Sequence, residues 1–202
     1  MSIVLLGSTS GSITLQEPAV AGTNTLSLPA VTATLATEVN GVLYPLTSGT
    51  AVASTSGTSI DFTSIPSWVK RITVMLSGVS TNGTSNLLIQ LGDSGGIENT
   101  GYGSSCAYTG TAINGSTSTV GFLTTLDGSG ASAFGGNIVL CLISGTTWVS
   151  SGIFIYNVSS PSNFVGLSSG TKTLSATLDR VRITTVNGTD TFDAGTINIL
   201  YE

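Results

Sequence analysis

From Arg71 the chain alternates, with Ile72, Val74 and Leu76 on one side and Arg71, Thr73 and Ser77 on the other. That is the period-two signature of a half-buried strand. Upstream, Ser64-Ile65-Pro66 bars a helix, because Pro66 fixes its own φ and pushes Ile65 towards an extended conformation. Downstream, Thr81-Asn82-Gly83-Thr84 offers an Asn-Gly pair that tolerates φ > 0, and Leu87, Ile89 and Leu91 resume the alternation. The pattern predicts a β-hairpin within Ile60 to Leu91. Further alternating runs fall at Tyr108 to Ile113, Val120 to Leu126, Gly136 to Ile143, Thr147 to Asn157, Phe164 to Leu167, Thr173 to Leu178, Arg180 to Val186 and Thr196 to Tyr201. Turn pairs at Asn114-Gly115, Asp127-Gly128, Ser144-Gly145 and Asn187-Gly188 separate them. Short strands at regular spacing, with no helical period, predict an all-β fold: an antiparallel, jelly-roll-like β-sandwich over residues 60–202.

The N-terminal portion reads differently. Ile13 with Leu15, and Leu26 with Leu28, alternate around the turn Glu17-Pro18-Ala19-Val20-Ala21-Gly22, predicting two very short strands that need partners to be stable. Residues 1–46 are therefore expected to be an anchoring or shaft element. Residues 47–59, TSGTAVASTSGTS, lack periodicity and read as a Ser/Thr/Gly linker.

Composition adds a constraint that periodicity does not. Charged residues are 7% of the chain, against about 25% in ordinary soluble domains, and mean hydropathy is +0.42. A free monomer so poorly charged has little to oppose association, so burial in an oligomer is expected. Hydrophobic residues at 40% argue against disorder despite the abundant Gly, Ser and Thr. No run reaches the length of a membrane span, and Ile3 to Leu6 is too short and lacks the basic flank of a signal peptide. The net charge of −5 and the five basic residues, Lys70, Arg71, Lys172, Arg180 and Arg182, disfavour nucleic acid as a partner. The basic residues beside strands are expected on solvated faces or in pairs between subunits with Asp61 and Asp179.

The segments FTSIPSWVKRITVMLSGVSTNGTSN and ATLDRVRITTVNGTDTFDAGTINILYE, within matches spanning Asp61 to Asp93 and Leu174 to Glu202, resemble a family of small tailed-bacteriophage proteins described as tail-fibre or virion structural proteins. GSITLQEPAVAGTNTLSLPAVTATL, from Gly11 to Leu35, resembles a short module near the ends of many phage fibre and structural proteins. The resemblance implies a homotrimer in the virion, assembled in the bacterial cytoplasm beside other virion proteins. It also implies an N-terminal attachment element, for which Ile13, Leu15, Leu26 and Leu28 are the candidates.

Candidate chemistry is sparse. The absence of histidine removes Ser-His-Asp and Cys-His nucleophile systems and His-based zinc sites. Carboxylates remain: Asp93 with Glu98, Asp127, and Asp190 with Asp193 could form a glycosidase pair, but each lies in a turn where Asp ordinarily bonds its own backbone. Asp190-Thr191-Phe192-Asp193 lacks the ligand density of a calcium loop. GDSGG at Gly92 to Gly96 has no histidine to serve it. No cofactor or metal is expected. Cys106 and Cys141 show no metal or redox spacing and read as apolar thiols, with a disulfide the alternative.

Phe62, Trp68 and Trp148 are expected in the core or at subunit contacts. Tyr102 and Tyr108, flanking the glycine-rich stretch Gly92 to Ser105, are the candidate receptor contacts, since an exposed ring with a polar tip stacks on sugar. The expectation is a non-enzymatic, short trimeric tail fibre whose head contacts a glycan or protein of the bacterial surface. A capsid decoration or head-fibre protein is the alternative, and a glycan-degrading enzyme a distant third.

Overall fold

The computed structural model describes residues 3–6, 12–15, 46–109, 113–124, 132–158 and 163–202. It divides into two compact units, Met1–Val42 and Leu43–Glu202. In the first, β1 (Ile3–Leu6) pairs antiparallel with β2 (Ser12–Leu15), placing Leu5 opposite Ile13 and Ile3 opposite Leu15. The partner of the Ile13/Leu15 strand is thus the preceding apolar stretch; Leu26 and Leu28 lie outside the described residues.

The second unit is an all-β, antiparallel sandwich. Its strands are β3 (Thr47–Ser48), β4 (Val52–Ala53), β5 (Ser59–Phe62), β6 (Arg71–Thr81), β7 (Leu87–Asp93), β8 (Gly96–Ile97), β9 (Tyr102–Thr109), β10 (Ile113–Ser118), β11 (Phe122–Leu123), β12 (Ser132–Ser144), β13 (Thr147–Val158), β14 (Asn163–Thr173), β15 (Leu178–Thr185) and β16 (Phe192–Tyr201). The large sheet runs β10-β9-β14-β13-β12-β6-β16, with β3 and β4 both on the free side of β16. The small sheet runs β11-β7-β15-β5, with β8 also on β7. Alternation decides what each strand buries: Ile72, Val74 and Leu76 of β6, Ile138 and Leu140 of β12, and Ile197 and Ile199 of β16 meet Ile60, Leu87, Ile89, Leu91, Val181 and Ile183 of the small sheet in one core. Phe62 and Trp148 are buried there, and Trp68 packs against the core with its ring 6.0 Å from that of Tyr201.

Three sequence expectations need correction. First, β6 and β7 do not form a hairpin. β6 pairs with β12 and β16 in the large sheet, whereas β7 pairs with β15 and β11 in the small one. The Thr81–Thr84 stretch crosses between sheets, and long-range bonds hold the crossing: Asn82 N–H donates to Thr191 O at 2.9 Å and Ser85 N–H to Asp190 Oδ2 at 2.8 Å. Gly83 does not take the left-handed conformation; a Cβ there would collide with the Asp190 carboxylate, so close approach explains the glycine.

Second, residues 47–59 are not a free linker: their first half forms the edge of the large sheet and Ser59 already belongs to β5. Thr47 and Ser48 pair with Tyr201 and Leu200, and Val52 and Ala53 with Ile197 and Thr196. Ser54 N–H and Oγ donate to Gly195 O and Ala194 O. Third, Asn114-Gly115 lies inside β10 opposite Tyr108 and Ala107 rather than at a turn, and Thr173 ends β14 rather than opening a new strand. Ser144-Gly145 does make the β12–β13 turn, with Gly145 at φ 56°, where a side chain would be strained. Asp127-Gly128 lies outside the described residues.

Candidate functional site

The two tyrosines predicted as glycan contacts are packing residues. Tyr102 opens β9 with its side chain directed into the sandwich and is 3% exposed. Its hydroxyl accepts from Leu91 N–H at 2.7 Å and donates to Glu98 O at 2.9 Å. Its ring meets Phe122 edge-on at 5.0 Å and lies 5.2 Å from Lys172 Nζ. Burial holds the hydroxyl well above its ordinary pKa. No ring face is left for a sugar, which overturns the expectation of an exposed loop tyrosine: the glycine-rich stretch is mostly strand, so Tyr102 obeys the alternation of β9. Tyr108 sits three inward positions further along β9, half-buried, with ring centroids 5.8 Å from Tyr156 and 5.6 Å from Phe164.

Beneath Tyr102 the fold does assemble Asp93 and Glu98. Asp93 ends β7 and caps its own turn by accepting from Gly95 N–H at 2.8 Å, the Asx geometry expected of Asp-Ser-Gly-Gly. Ser175, in the β14–β15 connection, links the two acids: its hydroxyl lies 2.7 Å from Asp93 Oδ2 and 2.8 Å from Glu98 Oε1, and its N–H donates to Glu98 Oε1 at 2.7 Å. Buried Lys172 closes the group, 2.5 Å from Glu98 Oε2 and 2.9 Å from Thr100 O. The Ser175 and Gly95 hydrogen bonds hold the Asp93 carboxyl below its ordinary pKa. Burial pulls Glu98 upward, but the bonds from Lys172 and Ser175 outweigh it and the net shift is downward. A glycosidase acid needs the reverse, a carboxyl that keeps its proton near neutrality. This arrangement instead ties the end of β7 to the β14–β15 connection.

The remaining acids among the described residues are also engaged. Asp190 accepts from Ser85 N–H and, at 2.6 Å, from Asn187 Nδ2, while Asp193 accepts from the Ser80 hydroxyl. Asp127 lies outside the described residues. Among the described residues no three His, Cys, Asp or Glu side chains converge as a metal site would require. Arg182 pairs with Asp61 at 2.7 Å across β15 and β5, and Arg180 with neighbouring Asp179 at 2.6 Å, so these pairs form within the chain rather than between subunits. Cys106, on the inner face of β9, is buried and its thiol is pushed up to about 11 by burial. Cys141 lies on the outer face of β12, with β13 and β14 between it and β9, and both thiols are free.

What sequence reasoning missed is the outer face of the large sheet. Its five neighbouring strands β10, β9, β14, β13 and β12 contain one charged residue, Lys172, and that residue points inward. On the outward side Leu167 stands opposite Ile153 and Val165 opposite Ile155, all between 46% and 59% exposed. Gly135 flanks Ile155, and Ala107 flanks Leu167. These four aliphatic side chains form a contiguous apolar patch bordered by Ser105, Ser151 and Ser169. The signal was present in the sequence as strands apolar on both faces, IFIY at Ile153 to Tyr156, but only the pairing register brings the residues together.

The chain matches no protein-family model, no curated protein and no solved structure.

Proposed function

We propose that the protein is a non-enzymatic structural component of a tailed-phage virion, a short homotrimeric fibre in which sandwiches pack on one another through the outer face of the large sheet and present their opposite side to the bacterial surface. The observation that carries the oligomeric reading is the outer face of β10, β9, β14, β13 and β12, where those strands set no charged side chain outward and Ile153, Ile155, Val165 and Leu167 are about half exposed. Completing the burial of four such side chains contributes roughly 3–6 kcal/mol per subunit, half of the full transfer value for each. The virion assignment and the trimer draw on the resemblance of Asp61 to Asp93, Leu174 to Glu202 and Gly11 to Leu35 to phage virion proteins. The structural role is supported by the acids among the described residues, each engaged in a hydrogen bond or ion pair that braces a turn or strand.

Imaging intact particles, with this chain located by a bound antibody fragment, tests the assignment. Density at the tail is expected. Density over capsomer junctions would make it a decoration or head-fibre protein, and absence from purified particles would refute the virion reading.

A further inference from the structure

We propose that the outer face of the small sheet carries a binding site for a neutral, hydroxyl-rich ligand, a saccharide of one or two rings, in the cleft floored by Gln90, Arg182 and Thr184. Two cross-strand rows build this floor: Asp61, Arg182 and Gln90 stand side by side across β5, β15 and β7, and Ser59, Thr184 and Leu88 form the next row. Loops raise the walls, with Asn99 after β8, Val120 before β11 and Val186 after β15. The cleft is open to solvent and its volume is about 370 Å³, within the range of roughly 300–1,000 Å³ typical of small-ligand sites.

The polar groups are fixed before any ligand arrives. Gln90 is 9% exposed and its amide nitrogen donates to Val120 O at 2.9 Å, which leaves the amide oxygen as a positioned acceptor. Arg182 spends Nε and Nη2 on Asp61, both at 2.7 Å, which leaves Nη1 as a donor and cancels the charge. Thr184 donates its hydroxyl proton to Thr58 O at 2.8 Å, which leaves its oxygen to accept. Asn99 is exposed at the rim and adds a donor and an acceptor on one plane.

A cleft with donors and acceptors interleaved and its only charged pair self-neutralised discriminates against phosphates and carboxylates, which need uncompensated cations. Vicinal hydroxyls, each donor and acceptor at once, satisfy it. Ile97, Val120 and Val186 supply apolar wall for the C–H faces of a ring. The cleft lies on the opposite side of the sandwich from the Ile153/Leu167 patch, so association through that patch leaves it open. The inference deepens the adhesion reading and rests on it for the biological source of the sugar.

Saturation-transfer NMR on the full chain tests the site, using glucose, galactose, rhamnose and N-acetylglucosamine as neutral probes and glucuronate as an acidic one. Transfer to at least one neutral sugar is expected. Val186→Trp, at an exposed wall position, should abolish it; Asn99→Ala should weaken binding about ten-fold, one hydrogen bond's worth; Ser169→Ala on the far face should leave it unchanged. Unaltered melting of the variants establishes that they fold. No transfer to any neutral sugar, equal transfer in all variants, or preference for glucuronate would overturn the proposal. None of these results bears on whether imaging finds the chain in the tail, so the two readings fail separately.

Discussion

Tyr102→Phe removes one oxygen atom and isolates the contribution of a single buried hydroxyl. In the folded protein that hydroxyl satisfies Leu91 N–H at 2.7 Å, on the side of β7 away from β15, and Glu98 O at 2.9 Å. The site is 3% exposed, so water does not replace the lost partner without rearrangement. Leaving a buried N–H unsatisfied costs about 1–3 kcal/mol. For a chain of this size each kcal/mol moves the melting temperature by about 2–4 °C, which gives an expected fall of about 2–12 °C. Tyr102→Ala also removes the ring packed on Phe122, adding about 3–5 kcal/mol, a large fraction of a domain's total of about 5–15 kcal/mol. Circular-dichroism melts give the stability and hydrogen exchange at the Leu91 amide gives the local effect. A Tyr102→Phe protein with unchanged melting and unchanged Leu91 protection would refute the reasoning, and a soluble, wild-type-like Tyr102→Ala protein would return the residue to the surface.

Acid should weaken the Asp93–Ser175–Glu98–Lys172 cluster. Both carboxyls have folded-state pKa values below their unfolded ones, so their stabilisation is fully present above the unfolded values near about 4 and is lost as pH falls through the lower folded values. Melts from neutrality downward should show Asp93→Asn and Glu98→Gln proteins less stable than wild type near pH 7, converging on it in acid; parallel curves would contradict the linkage. Gly83→Ala drives a methyl group into the Asp190 carboxylate, so it should destabilise the wild type and cost much less beside Asp190→Ala; strict additivity would show that the two do not couple. Ile72→Asp puts a carboxylate at a position with 0% exposure, a cost of several kcal/mol, and soluble protein with native melting would remove Ile72 from the core.

The features legible in the sequence were those that local periodicity encodes. Ile72, Val74 and Leu76, the β12–β13 hairpin about Ser144-Gly145, and the all-β class follow from alternation and turn chemistry. Which strand meets which does not. The Asn82-Gly83 pair resembles a hairpin turn, yet β7 is buried along its whole length and takes its place in the opposite sheet. Polarity misled in the reverse direction at Thr47 to Ala53, where residues without periodicity pair along β16 through backbone ladders, joined by a side-chain bond from Asn198 Nδ2 to Ser48 Oγ at 3.3 Å. Tyr102 was misplaced because the glycines before it suggested a loop, whereas the turn they make folds the chain back so that the Tyr102 hydroxyl meets backbone groups of Leu91 and Glu98, and alternation along β9 then directs the ring inward. The Gln90–Arg182–Asp61 row likewise draws on three strands and appears only once their register is known.

Native mass measurement of the full chain across a dilution series, with the Ile153→Asp/Leu167→Asp variant run alongside, tests association through the large sheet most directly. Both residues are more than half exposed, so the substitutions leave the core intact while placing four or more like charges at each shared face. A trimer is expected for the wild type and, for the variant, a folded monomer that still melts cooperatively but below the wild type, since it lacks the stabilisation association supplies. A monodisperse wild-type monomer, or a variant that remains trimeric, would contradict it.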